Sequence, residues 1–201
     1  MSKALAAKEW TEDEYLKFEE NAKNRHEFMD GEIISMAGGT RKHSLLTTNI
    51  SRLLGNHLEK TDCEVYSSDF KVKVREGHNV YPDVAVACGE IITSNNDLIL
   101  HNPLIVFEIL SKSTEKRDRG EKAEDYFRME SLTDYILVSQ TRVRVEHFSR
   151  QTNNEWTLKI YETLDDNLEL DSIKCRIPLD LIYLKLKLPT LNLVNKKKKN
   201  K

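Results

Sequence analysis

Two acidic side chains stand where an apolar setting should have excluded them. The run Leu104-Ile105-Val106-Phe107-Glu108-Ile109-Leu110-Ser111 is apolar at both alternating sets of positions, with one carboxylate at its centre. In a strand buried on both faces no position swings out to water, so Glu108 has to be protonated, ion-paired or bound to a metal. Upstream, Tyr81-Pro82-Asp83-Val84-Ala85-Val86-Ala87-Cys88 repeats the anomaly with Asp83 near its start. Two carboxylates on neighbouring strands suit a hard, oxygen-seeking cation such as Mg2+ or Mn2+, which keeps several waters for chemistry. Such a cation lowers the pKa of a bound water and neutralises charge on a phosphoryl oxygen. A lysine close by would orient that water or stabilise the developing anion.

Acids become a site only if rigid elements bring them together, and the flanking sequence supplies candidates. Trp10-Thr11-Glu12-Asp13-Glu14-Tyr15 predicts a helix start, with Thr11 as N-cap, Glu14 closing a capping box and Trp10 stapled onto Tyr15; the helix runs to Glu20 or Asn21. Asp30-Gly31 reads as a tight turn between short strands, and Gly38-Gly39 breaks the chain. Over residues 41–59, Leu45, Leu46, Ile50, Leu53, Leu54 and Leu58 form the stripe of an amphipathic helix that should lie across a sheet. Residues 68–75 alternate Phe70, Val72 and Val74 with Lys71, Lys73 and Arg75, which predicts a half-buried strand with one wet, cationic face. Gly77-His78-Asn79 is expected to turn that strand back into the one carrying Asp83, as antiparallel neighbours. Beyond a polar excursion at 89–102 and the Glu108 strand, residues 111–117 read as a loop. Asp118 then reads as the N-cap of a helix with Ala123, Tyr126 and Phe127 on one face. Strands are expected at 133–139, 142–148 and 155–161, and a short docking helix at 177–183. This order predicts an α/β or α+β fold, a mixed β-sheet flanked by helices with extra C-terminal antiparallel strands.

At 201 residues the chain suits one domain, expected over 1–190, with a basic tail at 191–201. Cys63, Cys88 and Cys175 are odd in number and far apart, and read as reduced, small apolar residues. No apolar run is long enough to span a bilayer and no signal-peptide core opens the chain, so a soluble, cytoplasmic protein is expected. Net charge is −2 although Lys196, Lys197, Lys198, Lys199 and Lys201 crowd the end, so the body is clearly acidic. That weighs against a module that grips nucleic acid through a broad basic surface.

Pro82-Asp83, followed by Glu108 inside an apolar strand, resembles the PD-(D/E)XK nuclease superfamily, whose core is a helix, a β-meander, a second helix and a further strand. One branch is closer. Residues 25–31 with Glu27, Met36-Ala37-Gly38-Gly39 with His43, Tyr81-Pro82-Asp83-Val84, Val106 to Ser111 with Ser113-Thr114, and Asp118-Arg119-Gly120-Glu121-Lys122 with Tyr126 are together similar to the Uma-type family of restriction endonucleases, over roughly residues 10–183. The resemblance implies a restriction-endonuclease-like fold and a metal-dependent endonuclease that hydrolyses DNA phosphodiester bonds with a metal-activated water. It also implies Asp83, Glu108 and the Ile109 carbonyl as ligands of Mg2+ or Mn2+, and Glu27 as a third ligand or an orienting group.

One position departs from the parent motif: a lysine belongs two residues after the glutamate, and this chain has Leu110 there. Lys122, early in the following helix, is expected to replace it, with an anionic partner to offset the helix dipole; Lys112 is the rival. Plainer readings stay open. Asp83 can cap a strand or pair with a lysine, Glu108 can sit in a structural ion pair, and Glu27 can be a solvated loop acid. His43 can pack at a helix start, Asp69 can form a turn, Asp118 can cap, and Tyr126 can belong to the core. The missing lysine and the acidic body keep open a catalytically inactive nuclease-fold binding or assembly protein, and metal chemistry alone does not choose DNA over RNA or nucleotides. Cutting two strands usually takes two sites, so a homodimer is expected.

Overall fold

In the computed structural model, which describes residues 8–36, 38–152 and 155–188, the first helix begins as its sequence dictates. Thr11 Oγ1 accepts from the Glu14 amide and the Glu14 carboxylate accepts from the Thr11 amide, starting α1 (Glu12–Glu20); such a cap stabilises by about 1 kcal/mol. Trp10 joins the cluster of Tyr15, Phe28 and Ile33 and meets the Phe18 ring at 5.5 Å. β1 (His26–Met29) and β2 (Glu32–Ser35) form a hairpin with Asp30 and Gly31 at φ 45° and 88°, the left-handed pair that an Asp-Gly turn supplies. Thr40 caps α2 (Arg41–Leu58). Then come β3 (Cys63–Ser67), β4 (Lys71–Arg75), β5 (His78–Val80), β6 (Val84–Cys88), β7 (Thr93–Ser94), β8 (Ile99–Leu100) and β9 (Ile105–Leu110). α3 (Glu115–Arg119) and α4 (Glu121–Arg128) lead to β10 (Asp134–Ser139), β11 (Val145–Arg150), β12 (Trp156–Tyr161), β13 (Asn167–Leu170), β14 (Cys175–Pro178) and α5 (Leu179–Ile182).

The strands make two six-stranded mixed sheets, ordered β2-β1-β5-β4-β8-β7 and β12-β11-β10-β9-β6-β3, and a separate β13-β14 pair. The expected antiparallel pairing of residues 68–75 with the Asp83 strand is therefore corrected. β4 pairs with β5, and the chain then leaves that sheet; β6 lies in the other one, between β3 and β9. Tyr81-Pro82-Asp83 is the crossing point, and Pro82 has no amide with which to continue a ladder. The cationic face expected on β4 is not wet throughout, because α1 covers it: Lys71 is buried and Lys73 reaches Glu12 at 3.1 Å.

β9 shows how one strand can be apolar on both faces. Ile105, Phe107 and Ile109 pack with Leu46, Ile50, Leu54 and Leu58 of α2, while Val106 and Leu110 pack with Ala123 and Tyr126 of α4. Period-2 alternation therefore aims Glu108 at the α4 side. β9 runs parallel to β10, with α3 and α4 as the crossover, and antiparallel to β6, with Val84 opposite Phe107. That register sets Asp83, just before β6, at the level of Glu108.

Three further expectations change. Asp118 is not an N-cap: it lies inside α3, buried, and Gly120 precedes α4 with no side-chain cap. Ile177 and Pro178 close β14, so the docking helix is limited to α5, tied to α2 by Asn49 Nδ2 donating to the Ile182 and Leu184 carbonyls at 3.0 and 3.1 Å. Cys63 and Cys88 form a disulfide, because the β3/β6 register sets them opposite each other; Cys175 is free and buried. The cysteine pattern thus no longer argues for a reducing compartment. Among the described residues no helix is long and apolar enough to cross a membrane. Ala37 and the basic tail lie outside the described residues.

Candidate active site

Glu108, 4% exposed, is met from α4 by Lys122, 2% exposed, whose ammonium lies 2.7 Å from Oε1; the Tyr126 hydroxyl donates to the same oxygen at 3.4 Å. Lys122 thus comes from α4 onto the face of β9 that residues 108 and 110 share. The anionic partner expected for Lys122 is more than one. Glu27 Oε1 accepts from Lys122 at 3.0 Å, and Asp118 Oδ1 is 4.0 Å away.

Glu27 projects from β1 and is itself held on three sides, by Lys122, by Arg117 of α3 and by the Tyr81 amide at 3.3 Å. Burial alone would raise its carboxyl, but Lys122 and Arg117 outweigh this and hold it below the usual range. Glu108 goes the other way: burial, with Asp118 and Asp83 nearby, raises it well above the usual carboxylate range against the pull of Lys122. Burial also raises Asp118. Burial would lower Lys122, yet Glu108, Glu27 and Asp118 together raise it well above the usual ammonium range, so it stays charged. Low-dielectric surroundings magnify these effects, and the cluster carries more carboxylate than its own cations neutralise.

Asp83 is fixed through both oxygens. Oδ2 accepts from the Ile109 amide at 2.7 Å, which locks it to the β9 residue after Glu108, and Oδ1 lies 3.0 Å from His43 Nε2. His43 comes from the first turn of α2; burial lowers its pKa, but the Asp83 carboxylate outweighs this and raises it. A methyl group on Gly39 would come within 3.0 Å of His43 Nδ1, so the glycine leaves room for the ring. Gln140 joins the two halves: its Nε2 donates to the Leu110 carbonyl at 2.8 Å, and its Oε1 accepts from Thr40 Oγ1 at 2.5 Å, the hydroxyl that caps α2.

The sequence pattern of the Uma2 family, described as "Putative restriction endonuclease", matches residues 12–180, which span Glu27, His43, Asp83, Glu108, Lys122 and Gln140. The chain belongs to this family. Two relatives of similar length come from Synechocystis sp. (strain ATCC 27184 / PCC 6803 / Kazusa). "Uncharacterized protein slr1290" is 38% identical over 172 residues, covering 85% of this chain and 90% of its own length. "Uncharacterized protein sll1609" is 35% identical over 160 residues, covering 79% and 89%. The Uma2 fold seen here also resembles the crystal structure of a "putative nuclease belonging to DUF820" from Anabaena variabilis ATCC 29413, with a TM-score of 0.72, 16% identity, and 87% of this chain and 97% of that one covered. At that identity the likeness speaks for the nuclease-like fold alone.

Of the Uma2 residues expected at a site, Glu27, Asp83, Glu108, Lys122 and His43 come together. Asp69 does not: it is an exposed partner of Arg25. Lys112 is exposed beyond the end of β9. Arg117, Asp118 and Gln140 were not legible as site residues, because no local pattern marks an α3 side chain that meets a β1 acid 90 positions away. Among the described residues no group of three or more His, Cys, Asp and Glu side chains is arranged to hold a metal ion. The donors nonetheless fit Mg2+ or Mn2+, which bind through one or two carboxylates, carbonyls and waters rather than a full protein cage. Asp83 and Glu108 are hard oxygen donors in an under-neutralised cluster, and the Lys122 and Tyr126 contacts of Glu108 both fall on Oε1.

Proposed function

We propose that this chain is a metal-dependent endonuclease hydrolysing DNA phosphodiester bonds, with Asp83, Glu108 and the Ile109 carbonyl as the ligands of Mg2+ or Mn2+. The observation that carries the reading is one buried ammonium, Lys122, held 2.7 Å from Glu108 and 3.0 Å from Glu27 in an acid-rich cluster. When bound, the cation would polarise a phosphoryl oxygen and lower the pKa of the attacking water. Lys122, set between the Glu108 and Glu27 carboxylates, would act as a fixed positive donor that orients the water and meets negative charge developing on the phosphate. Glu27, pinned by Arg117 and the Tyr81 amide, holds Lys122 in line. His43 and the Ile109 amide orient Asp83. Two copies acting on opposite strands would give double-strand cleavage.

Purified protein incubated with supercoiled and linear duplex DNA and Mn2+ should cut, and Asp83→Ala should not. Calorimetry should record heat of Mn2+ binding that vanishes in Glu108→Gln. If no DNA form is cleaved and Asp83→Ala behaves as the wild type does, the reading fails. A second reading has one observation in its favour: Lys122 already lies on Glu108 Oε1 as a built-in counterion. A nuclease-fold binding or assembly protein without catalysis would give no heat with Mn2+ at all.

A further inference from the structure

β4 carries three cations at alternate positions, and two of them are neutralised. Lys73 pairs with Glu12 at 3.1 Å and Glu76 at 2.9 Å, and Arg75 with Asp30 at 2.7 Å and Asp125 at 3.0 Å. Lys71 differs. It is 5% exposed, and among the described residues no carboxylate lies within ion-pairing distance of it and no group hydrogen-bonds to it. Its ammonium lies instead 4.8 Å from the Tyr15 ring centre and 5.6 Å from that of Tyr81. Glu19, the α1 acid nearby, is engaged elsewhere: it accepts from the His26 amide at 2.9 Å, meets His26 Nδ1 at 3.0 Å, and accepts from the Tyr81 hydroxyl at 3.0 Å.

Aromatic faces offset only part of the cost of desolvating an ammonium. Burial accordingly lowers the Lys71 pKa although Glu19, Glu20 and Glu12 oppose it. The ammonium is not sealed off. Ser51 Oγ, His78 Nε2, Asn79 Oδ1 and Arg117 Nε are the fully enclosed, partnerless side-chain polar atoms among the described residues, and Lys71 Nζ is not one of them. Its stem is buried while its head still meets solvent. On the same Tyr81 ring, the Arg25 guanidinium sits 6.0 Å from the centre, partly exposed and paired with Asp69. Tyr81 is two residues from Asp83, and its amide donates to Glu27. A cation kept without an anion, against the ring of Tyr81, whose amide meets Glu27 and whose chain leads on to Asp83, is the feature that a polyanionic substrate would satisfy.

We propose that Lys71, with Arg25 at its rim, forms an anion subsite that holds a backbone phosphate of the nucleic acid adjacent to the one presented to Asp83 and Glu108. The subsite rests on the nuclease reading above, and its test separates the two.

Lys71→Met keeps an unbranched apolar stem between the two tyrosines and removes the charge. Binding of a labelled duplex oligonucleotide, followed by fluorescence anisotropy without divalent metal, is measured against KCl concentration for the wild type, Lys71→Met and Lys71→Arg. The expected result is several-fold weaker binding by Lys71→Met regardless of sequence, with a slope of log K against log[KCl] shallower by about 0.9, and a retained slope in Lys71→Arg. An unchanged slope in a folded Lys71→Met overturns the subsite. A second measurement needs no variant: reductive methylation of the wild-type protein, read by mass spectrometry, should modify Lys71 in the free protein and spare it when duplex is bound. Equal modification in both states, or none in either, also overturns it. If the wild type binds neither duplex nor single strand at low salt, the nuclease reading falls first; if it binds while Lys71 stays indifferent, only the subsite falls.

Discussion

Lys122→Met removes the one ammonium that faces Glu108, Glu27 and Asp118, and its consequences follow from what each acid retains. Glu27 keeps Arg117 and the Tyr81 amide, whereas Glu108 keeps, among the described residues, only the Tyr126 hydroxyl at 3.4 Å. Breaking a buried ion pair from one side costs about 3–5 kcal/mol, which in a chain of this size lowers Tm by roughly 6–20 °C. The deficit depends on pH in a definite direction. Glu108 and Asp118 have folded pKa values above their unfolded ones, and the variant no longer has Lys122 to oppose that rise. Groups of this kind stabilise the fold below their unfolded pKa, and the contribution is lost as pH rises through the folded pKa. Compared at about pH 8 and about pH 5, the variant should therefore be the weaker at the higher pH, since acid favours the protonated Glu108 that needs no cation. Urea denaturation at both pH values measures this. Two additions sharpen it: Mn2+ should restore part of the stability at high pH, and Lys122→Met combined with Glu108→Gln should be more stable than Lys122→Met alone. A loss below about 1 kcal/mol that does not change with pH would show that Lys122 does not neutralise these acids.

Other outcomes follow from the same contacts. Imidazole resonances in a wild-type NMR titration should place His43 above the ordinary histidine range, and Asp83→Asn should bring it down; an unchanged His43 in that variant would separate the two groups. Gln140→Leu removes the donor to the buried Leu110 carbonyl and frees the Thr40 hydroxyl, which keeps the His43 amide, so unfolding in urea should show a loss of about 1–3 kcal/mol, and Mn2+ heat should weaken as the two halves of the site drift apart. Opening the Cys63–Cys88 link, which spans 25 residues, should cost about 3.5 kcal/mol by loop entropy; melting with and without reductant checks it, and Cys63→Ser should melt at one temperature in both.

The sequence by itself determined the pair of acids, since a carboxylate inside a run apolar at every position demands a partner whatever the fold. It also determined the caps and turns whose chemistry is local: the Thr11–Glu14 box, the Asp30-Gly31 turn and the stripe of α2 each depend on residues a few positions apart. Tertiary structure decided everything that joins distant segments. It moved the Asp83 strand into a different sheet from its predicted neighbour, because Tyr81-Pro82-Asp83 leaves one ladder and enters another. It set Cys63 opposite Cys88, placed Asp118 within a helix where a cap was expected, and brought Arg117, His43 and Gln140 to the acids. The physical reason is range. Hydrogen-bonded turns and amphipathic periods are fixed by neighbours along the chain, whereas strand register and the neutralisation of buried charge depend on which surfaces meet across the core.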